Sequence, residues 1–191
     1  MHTIIVNSRD LAQGLGAVVH AASTDENRPI LHGVLFEGRQ GQLRLVAADN
    51  YRIAYAEIAA DTLADEPLVL PLDVATALLK DCKALKPYAG PVTITWENPD
   101  AVTLAYGTTT RTVRAVDGTF PNYAQVIPID RENDRTIGLC GKHLADAMAL
   151  TARSRYVKDA GNNLRITFGG PLEPIIVRGE YGTEIIMPVR L

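Results

Sequence analysis

The stretch from Thr3 to Ser23 reads TIIVNSRDLAQGLGAVVHAAS, and it sets a pattern that the rest of the chain repeats. Thr3 to Asn7 is rich in β-branched residues, which predicts a short strand. From Ser8 to Ser23 apolar residues recur every three or four positions, which predicts an amphipathic helix. Three strand-like runs follow, at Gly33–Glu37, Gln42–Ala48 and Arg52–Glu57. The first pass along the chain therefore has the order β-α-β-β-β.

The same order recurs twice, with a second pass starting at Leu68 and a third at Thr136. Turn-forming residues separate the second and third strands of each pass: GRQG at 38–41, NPD at 98–100 and GGP at 169–171. We predict helices at Leu72–Leu85 and Lys142–Arg155. The remaining strands are predicted at Leu68–Leu70, Val92–Glu97, Ala101–Ala105, Thr110–Val116, Thr136–Cys140, Asn163–Phe168, Ile175–Arg178 and Glu184–Val189. The fold class is thus α+β, with three repeated β-α-β-β-β modules and helices on one face of antiparallel sheets.

Each predicted helix has an apolar side and a cationic side. In the first helix, Leu11 and Leu15 fall on one face and Arg9 on the opposite face. In the second, a stripe of Val74, Leu78, Cys82 and Leu85 is predicted to be buried. A cationic helix face is usually only a solvated surface. Three modules with their helices on one side would instead gather these cations on a single surface, with the acidic residues in loops elsewhere. Such a surface can hold a phosphate backbone. The candidate cations are Arg9, Lys80, Lys83, Lys86, Lys142 and Arg153; the acids expected in loops are Asp61, Asp65, Glu66, Asp130, Glu132 and Asp134.

Composition narrows the class of protein. The chain has 191 residues, of which 47% are hydrophobic and 21% charged, and a formal net charge of -3. These values are typical of a soluble globular protein, and they exclude a global basic field that would attract DNA or acidic membranes. The sequence has no basic leader and no long apolar run, so we expect a cytoplasmic protein that does not bind membranes.

The sequence offers no chemistry for catalysis or metal binding. Cys82 and Cys140 lie far apart and cannot form a zinc site alone, so we expect two buried thiols in a reducing compartment. No nucleophile or carboxylate constellation accompanies the histidines, and no phosphate-binding glycine loop is present. We therefore expect neither an enzyme nor a cofactor. The histidines are His2, His20, His32 and His143.

Four segments, in order, closely resemble the DNA polymerase III β subunit, the bacterial sliding clamp. They read ENRPILHGV at 26–34, LRLVAADNYRIA at 43–54, VDGTFPNY at 116–123 and MPVRL at 187–191. The resemblance covers nearly the whole chain, and it implies modules of the DNA-clamp type. It further implies a ring around duplex DNA that is held by non-specific electrostatic contacts and tethers DNA polymerase and other replication proteins. A clamp loader is an expected partner, and the protein is expected to be a non-catalytic accessory subunit.

The family binds short partner peptides in an apolar groove. Residues that match this groove in our sequence are Tyr51, Arg52, Ile53, Pro121, Val126, Met187, Pro188, Val189, Arg190 and Leu191. Met and aliphatic side chains suit such a groove because they adapt to different ligands. The alternative is that Met187 and Ile53 are ordinary core residues. The pattern departs from the family at Ala48, Asn50 and Gln125, so the ligand preference is expected to differ.

The chain is shorter than the family's familiar three-domain form. We predict one complete clamp-like domain at 1–127, with modules at about 1–60 and 66–120 followed by a connector. Residues 128–191 are predicted to form a single half-domain module with the C-terminal tail. A ring of the family's usual twelve modules would then need four copies of the chain, which favours a homotetramer with dihedral symmetry. The alternative function is a clamp-like decoy or regulator that binds replication proteins or another clamp without forming a ring.

Overall fold

The computed structural model describes residues 1–64, 66–85, 90–127, 137–152, 165–168, 170, 172–179 and 182–189. The chain divides into two compact units, Met1–Ile127 and Pro128–Leu191, which we name unit 1 and unit 2. Each unit has its own hydrophobic core.

The first half of unit 1 follows the predicted order of strand, helix and three strands. The side chain of Asn7 caps the helix by accepting a hydrogen bond from the backbone N–H of Arg9 at 2.9 Å. The helix buries Leu11 and Leu15 and leaves Arg9 exposed, which confirms the predicted faces. The elements are β1 His2–Asn7, α1 Ser8–Val18, a 3₁₀ turn Val19–Ala21, β2 Gly33–Arg39, β3 Gln42–Ala48 and β4 Ile53–Thr62.

The second half of unit 1 repeats this order and ends in a connector. A tight turn at Gly107, which has φ of +55°, joins the last two strands. The elements are β5 Leu68–Pro71, α2 Leu72–Ala84, β6 Pro91–Trp96, β7 Val102–Tyr106, β8 Thr109–Val113 and a 3₁₀ turn Tyr123–Gln125.

The strands of unit 1 form one antiparallel sheet in the order β5-β2-β3-β4-β1-β6-β7-β8. The two halves meet edge to edge, because β1 pairs with β6 of the second half and β5 pairs with β2 of the first. The registers correspond: Ile4 lies opposite Ile94, and Leu68 lies opposite Phe36. The two edge pairings are therefore equivalent, as expected for two halves related by an approximate two-fold axis.

Two hydrophobic clusters lie on opposite faces of this sheet. The larger one fills the space between the sheet and the two helices, and its fully buried side chains include Phe36 and Ile94. Here α1 lies so close to the sheet that a Cβ at Gly14 would come within 2.8 Å of Leu45 Cδ1. The smaller cluster contains Leu35, which points to the other face because side chains alternate along a strand. Its other buried members are Val46, Val69 and Tyr123.

The described residues of unit 2 form one helix and a small antiparallel sheet. The helix is α3 Gly141–Ala152, and the strands are β9 Arg165–Thr167, β10 Ile175–Gly179 and β11 Gly182–Ile186, in the order β11-β10-β9. An isolated antiparallel bridge joins Gly138 to Val189. Among the residues that the structure describes, the buried core of unit 2 contains Ala147 on α3 and three strand residues, Ile175, Val177 and Ile186.

Several predicted boundaries were wrong. The strand predicted at Arg52–Glu57 runs to Thr62, because its second part pairs with β1. Asp61 was expected in a loop, but it lies in β4 opposite Ile5, since its backbone pairs while its side chain stays in solvent. The strand predicted to end at Val116 ends at Val113, after which the N–H of Val116 donates to the carbonyl of Val69 at 2.8 Å.

The helix predictions also needed correction. The first helix stops at Val18 and continues as a 3₁₀ turn instead of reaching Ser23. Val74 in α2 and Leu85, directly after the end of α2, were predicted to be buried but are half-buried. Ala75 and Leu79 are buried in their place, because α2 packs against both α1 and the sheet and its apolar face is wider than one stripe. At 136–140 the described residues contain only the bridge at Gly138.

The hydroxyl of Tyr106 makes stability sensitive to alkaline pH. It donates to Asp81 Oδ2 at 2.6 Å, and Arg111 lies 3.2 Å from the same oxygen. Burial, reinforced by the hydrogen bond to Asp81, raises the pKa of Tyr106 to about 12. An unfolded tyrosine titrates near ~10, so above that pH the unfolded state loses the proton first and is favoured. We expect this group's contribution to be intact below pH ~10 and to fall by about 2–3 kcal/mol as the pH rises to ~12.

Urea unfolding at about pH 9 and about pH 11.5 measures this loss. The variant Tyr106→Phe should show a smaller decrease than the wild type, whereas Tyr55→Phe, at a more exposed tyrosine, should show the same decrease. An identical alkaline loss in wild type and Tyr106→Phe would contradict the assignment.

Candidate nucleic-acid interface and peptide groove

The two helices of unit 1 pack against each other and present cations to a shared groove. This groove, of about 660 Å³, lies between α1 and α2. Arg9, from the first turn of α1, and Lys83, from the last turn of α2, both line it. Lys80 is exposed one turn before Lys83 on α2. The structure therefore brings together two of the six predicted cations and places a third beside them.

The remaining predicted cations are distributed differently. Lys142 is exposed on α3 of unit 2, and its Nζ donates to Asp146 Oδ2 at 3.0 Å. This partner and its charge raise the pKa of Lys142 above its usual value. A phosphate would have to compete with Asp146 for this ammonium group. Lys86 and Arg153 lie outside the described residues.

A short turn between β3 and β4 presents the first predicted groove residues. Asp49 Oδ1 accepts hydrogen bonds from the backbone N–H groups of Tyr51 at 2.8 Å and Arg52 at 3.0 Å. Arg52 Nε donates to Asp49 Oδ2 at 2.9 Å. These bonds, that of Tyr51 foremost, lower the pKa of Asp49. The ordered turn leaves the Tyr51 side chain 93% exposed, so Tyr51 is available to a partner.

The connector after β8 packs on the face of the sheet that is opposite the helices. Ile53 is half-buried and packs with the connector residues Phe120 and Ile127 against the smaller hydrophobic cluster. Pro121 and Val126 lie on the same connector and are exposed. Of the five predicted groove residues in unit 1, the structure packs Ile53 with the connector that also carries Pro121 and Val126, and Tyr51 and Arg52 directly precede Ile53. Ile53 is also partly in the core, as the alternative interpretation had it.

A polar cluster holds the connector in place. The hydroxyl of Tyr123 donates to Glu37, and at 3.4 Å it accepts from both Arg39 and Arg44. The guanidinium of Arg44 also pairs with Glu57 and lies 6.0 Å from the centroid of the Tyr123 ring. Burial, with the hydrogen bond to Glu37, raises the pKa of Tyr123. This cluster fixes the 3₁₀ turn directly before Val126, and the sequence did not predict it.

The predicted residues of unit 2 line a second groove, of about 360 Å³. Met187 is 65% exposed and Val189 is 45% exposed, with Pro188 between them. Ile185 is also exposed, and it shares a face with Met187 and Val189 because alternate residues of an extended chain point the same way. Ile185 was not among the predicted groove residues, although its position two residues before Met187 in an extended segment could have indicated it. The predicted Arg190 and Leu191 lie outside the described residues.

Other candidate chemistry is limited. In the described part of the chain no cluster of three or more His, Cys, Asp or Glu residues has the geometry to hold a metal ion. Cys82 is buried, which raises the pKa of its thiol to about 11, whereas Cys140 is half-buried, contrary to expectation. None of the described helices is both long enough and apolar enough to cross a membrane.

Two β-α-β-β-β halves that pair along their edge strands, with their two helices packed on one face of the antiparallel sheet, define an α+β protein of the DNA-clamp fold. The sequence model of the family described as DNA polymerase III beta subunit, central domain, matches residues 5–122. The chain therefore belongs to the DNA polymerase III β subunit family, which confirms the resemblance carried by the four sequence segments.

Relatives and solved structures agree with this assignment. A beta sliding clamp of Caulobacter vibrioides is 31% identical over 174 residues, which cover 86% of this chain and 45% of the relative. A Bacillus subtilis sliding clamp structure has a TM-score of 0.73 at 25% identity and covers 98% of this chain and 49% of that one. A Pseudomonas aeruginosa sliding clamp bound to griselimycin has a TM-score of 0.78 at 20% identity, covering 98% and 51%. The chain thus spans about half the length of these proteins.

Proposed function

We propose that this protein is a DNA sliding clamp, a non-catalytic processivity factor whose copies assemble into a ring around duplex DNA. The observation that carries the proposal is the groove between α1 and α2, where Arg9 and Lys83 come from different helices and face the same space. Two helices that present cations together suit the phosphate backbone of DNA, which is recognised by charge and not by sequence.

Sliding requires contacts that are individually weak and interchangeable. Exposed lysines on flexible stems meet this requirement, because they neutralise phosphates without reading base edges. Because the net charge is -3, the protein as a whole does not attract DNA, and we place DNA binding at the cationic helical surface alone. The other surfaces would then be free for protein partners. The polymerase and other clamp-binding proteins would dock through short peptides at the exposed apolar residues, in the cytoplasm, with a clamp loader opening the ring.

The proposed organisation follows the division of the chain. Unit 1 would supply a complete clamp-like domain, and unit 2 a single half-domain module. A ring made of such chains needs several copies, and we propose a homotetramer. The half-domain also supports a second candidate, a decoy or regulator that binds replication proteins without encircling DNA, because a lone module can present the peptide groove of unit 2 without closing a ring.

Topology separates the two candidates. Dilute subunits are mixed with nicked circular DNA and then concentrated, so that any ring closes around the circle without a loading enzyme. We expect the protein to co-elute with circular DNA in gel filtration and to be lost when a restriction enzyme linearises the circle. Equal retention on circular and linear DNA, or retention on neither, would contradict encirclement and favour the decoy.

A further inference from the structure

Unit 2 contains two strand edges that lack a partner among the described residues. Within the described part of unit 2, the segment around Gly138 bridges only to Val189. Over the same residues, strand β9 pairs only with β10. Open edges of this kind leave backbone N–H and C=O groups available for pairing with another strand.

Both edges correspond to edges that are paired in unit 1. The first module of unit 1 has the strand order β2-β3-β4-β1, and unit 2 has the order β9-β10-β11 followed by the segment at Gly138. The segment at Gly138 therefore corresponds to β1, and β9 corresponds to β2. In unit 1 these two strands pair with β6 and β5, which belong to the other module.

The correspondence extends to the residues. Residues 3–16 read TIIVNSRDLAQGLG, and residues 136–149 read TIGLCGKHLADAMA. In both, the helix begins directly after the first strand-like segment, at Ser8 in α1 and Gly141 in α3. The run VTITW at 92–96 in β6 likewise corresponds to LRITF at 164–168 around β9. Under this alignment the described residues from 137 to 147 have counterparts in unit 1 whose burial can be compared.

Unit 2 is less buried at the positions where unit 1 contacts its second module. Ile4 and Leu11 are 0% exposed, and Val6 and Ala12 are 2% and 7% exposed. Their counterparts Ile137, Leu139 and Leu144 are only half-buried, and the counterpart Ala145 is exposed. The apolar side of unit 2 is thus built as in a complete domain, but among the described residues of unit 2 none forms a second module that covers it.

We propose that unit 2 of a second copy of this chain covers this surface, related by a two-fold axis. A two-fold axis satisfies both edges at once, because the Gly138 segment of each copy pairs with β9 of the other. The same arrangement joins the two halves of unit 1, where β1 pairs with β6 and β5 pairs with β2. If the strands pair in the same register as β1 and β6, Ile137 lies opposite Ile166 of the second copy, just as Ile4 lies opposite Ile94 in unit 1. The interface specifies one contact of the proposed ring, but its evidence is independent of DNA binding.

A disulfide cross-link tests the register. In a Cys140→Ser background, the double variant Gly138→Cys with Arg165→Cys places two thiols at positions that correspond to Ile5 and Thr93, which are direct partners in unit 1. Within one chain these positions lie three strands apart, roughly 14 Å at the usual strand spacing, which is beyond disulfide reach. Mild oxidation should therefore give a covalent species of twice the chain mass. The matched control, Gly138→Cys with Arg178→Cys, moves one thiol to the neighbouring strand β10 and should not cross-link.

Native mass spectrometry of the unmodified protein completes the test. We expect dimers or tetramers and no odd-numbered assembly. Monomers alone at micromolar concentration, no cross-link in the 138/165 variant, or equal cross-linking in the control would overturn the interface. If the protein cross-links as expected but is not retained on circular DNA, the interface is supported and the ring is contradicted. If the protein is retained on circular DNA but does not cross-link, the ring is supported and this interface is contradicted.

Discussion

Replacing Lys80, Lys83 and Lys86 by Ser is expected to lower the affinity for duplex DNA by about 100- to 1,000-fold at ~0.1 M salt. Each phosphate contact contributes a slope of about 0.9 to the dependence of log affinity on log salt, so three lost contacts reduce the slope by about 2.7. If the affinity extrapolated to ~1 M salt is unchanged, the loss at ~0.1 M follows directly. Lys80 and Lys83 are exposed on α2, so their replacement should leave the fold intact. Fluorescence anisotropy over a salt series measures both the affinity and the slope.

The control variant removes the same number of positive charges from strands and loops. Arg28→Ser, Arg114→Ser and Arg178→Ser change exposed arginines, none of which lies on a helix. If only net charge governed binding, the control would weaken DNA binding as much as the α2 variant. Such equality, or an unchanged slope in the α2 variant, would reject α2 as part of the DNA-binding surface.

The sequence predicted the order of elements well because the relevant signals are local. Amphipathic periodicity identified α1, with Leu11 buried and Arg9 exposed, and turn residues marked the hairpins. The pairing of β1 with β6 and of β5 with β2 could not be predicted from local sequence, since it depends on which sheet edges meet after both halves have formed. The same reason explains Asp61: its backbone belongs to β4, although its charge suggested a loop.

The site was predicted unevenly for a related reason. The exposure of Tyr51 and Met187 does not follow from their residue types, which usually favour a core, and only the family resemblance singled them out. The cluster around Tyr123 joins residues that are 79 to 86 positions apart in sequence, so periodicity could not reveal it. Only one pair of this cluster could have been expected from the sequence: Arg44 and Glu57 carry opposite charges on the neighbouring strands β3 and β4, where they lie directly opposite each other.

Changing Met187 to Asp should weaken the binding of a partner peptide by about 30-fold or more. The thioether side chain is 65% exposed beside Ile185 and Val189, so an apolar peptide side chain can bury it. Losing that burial and desolvating a carboxylate instead should cost at least about 2 kcal/mol, which corresponds to the stated factor. Overlapping labelled peptides from the replicative polymerase of the same organism first identify the binding segment, and anisotropy then compares the variants.

A point substitution tests the groove better than deletion of residues 187–191, because the deletion also removes the bridge between Gly138 and Val189. The matched control is Leu172→Asp, which introduces the same charge at a residue of unit 2 that is 73% exposed and does not line the groove. Ile185→Asp should weaken binding as Met187→Asp does, since both side chains lie on one face. If Leu172→Asp were as harmful as Met187→Asp, added negative charge alone would explain the loss. If Met187→Asp bound normally, the partner peptide would have to dock elsewhere on the protein.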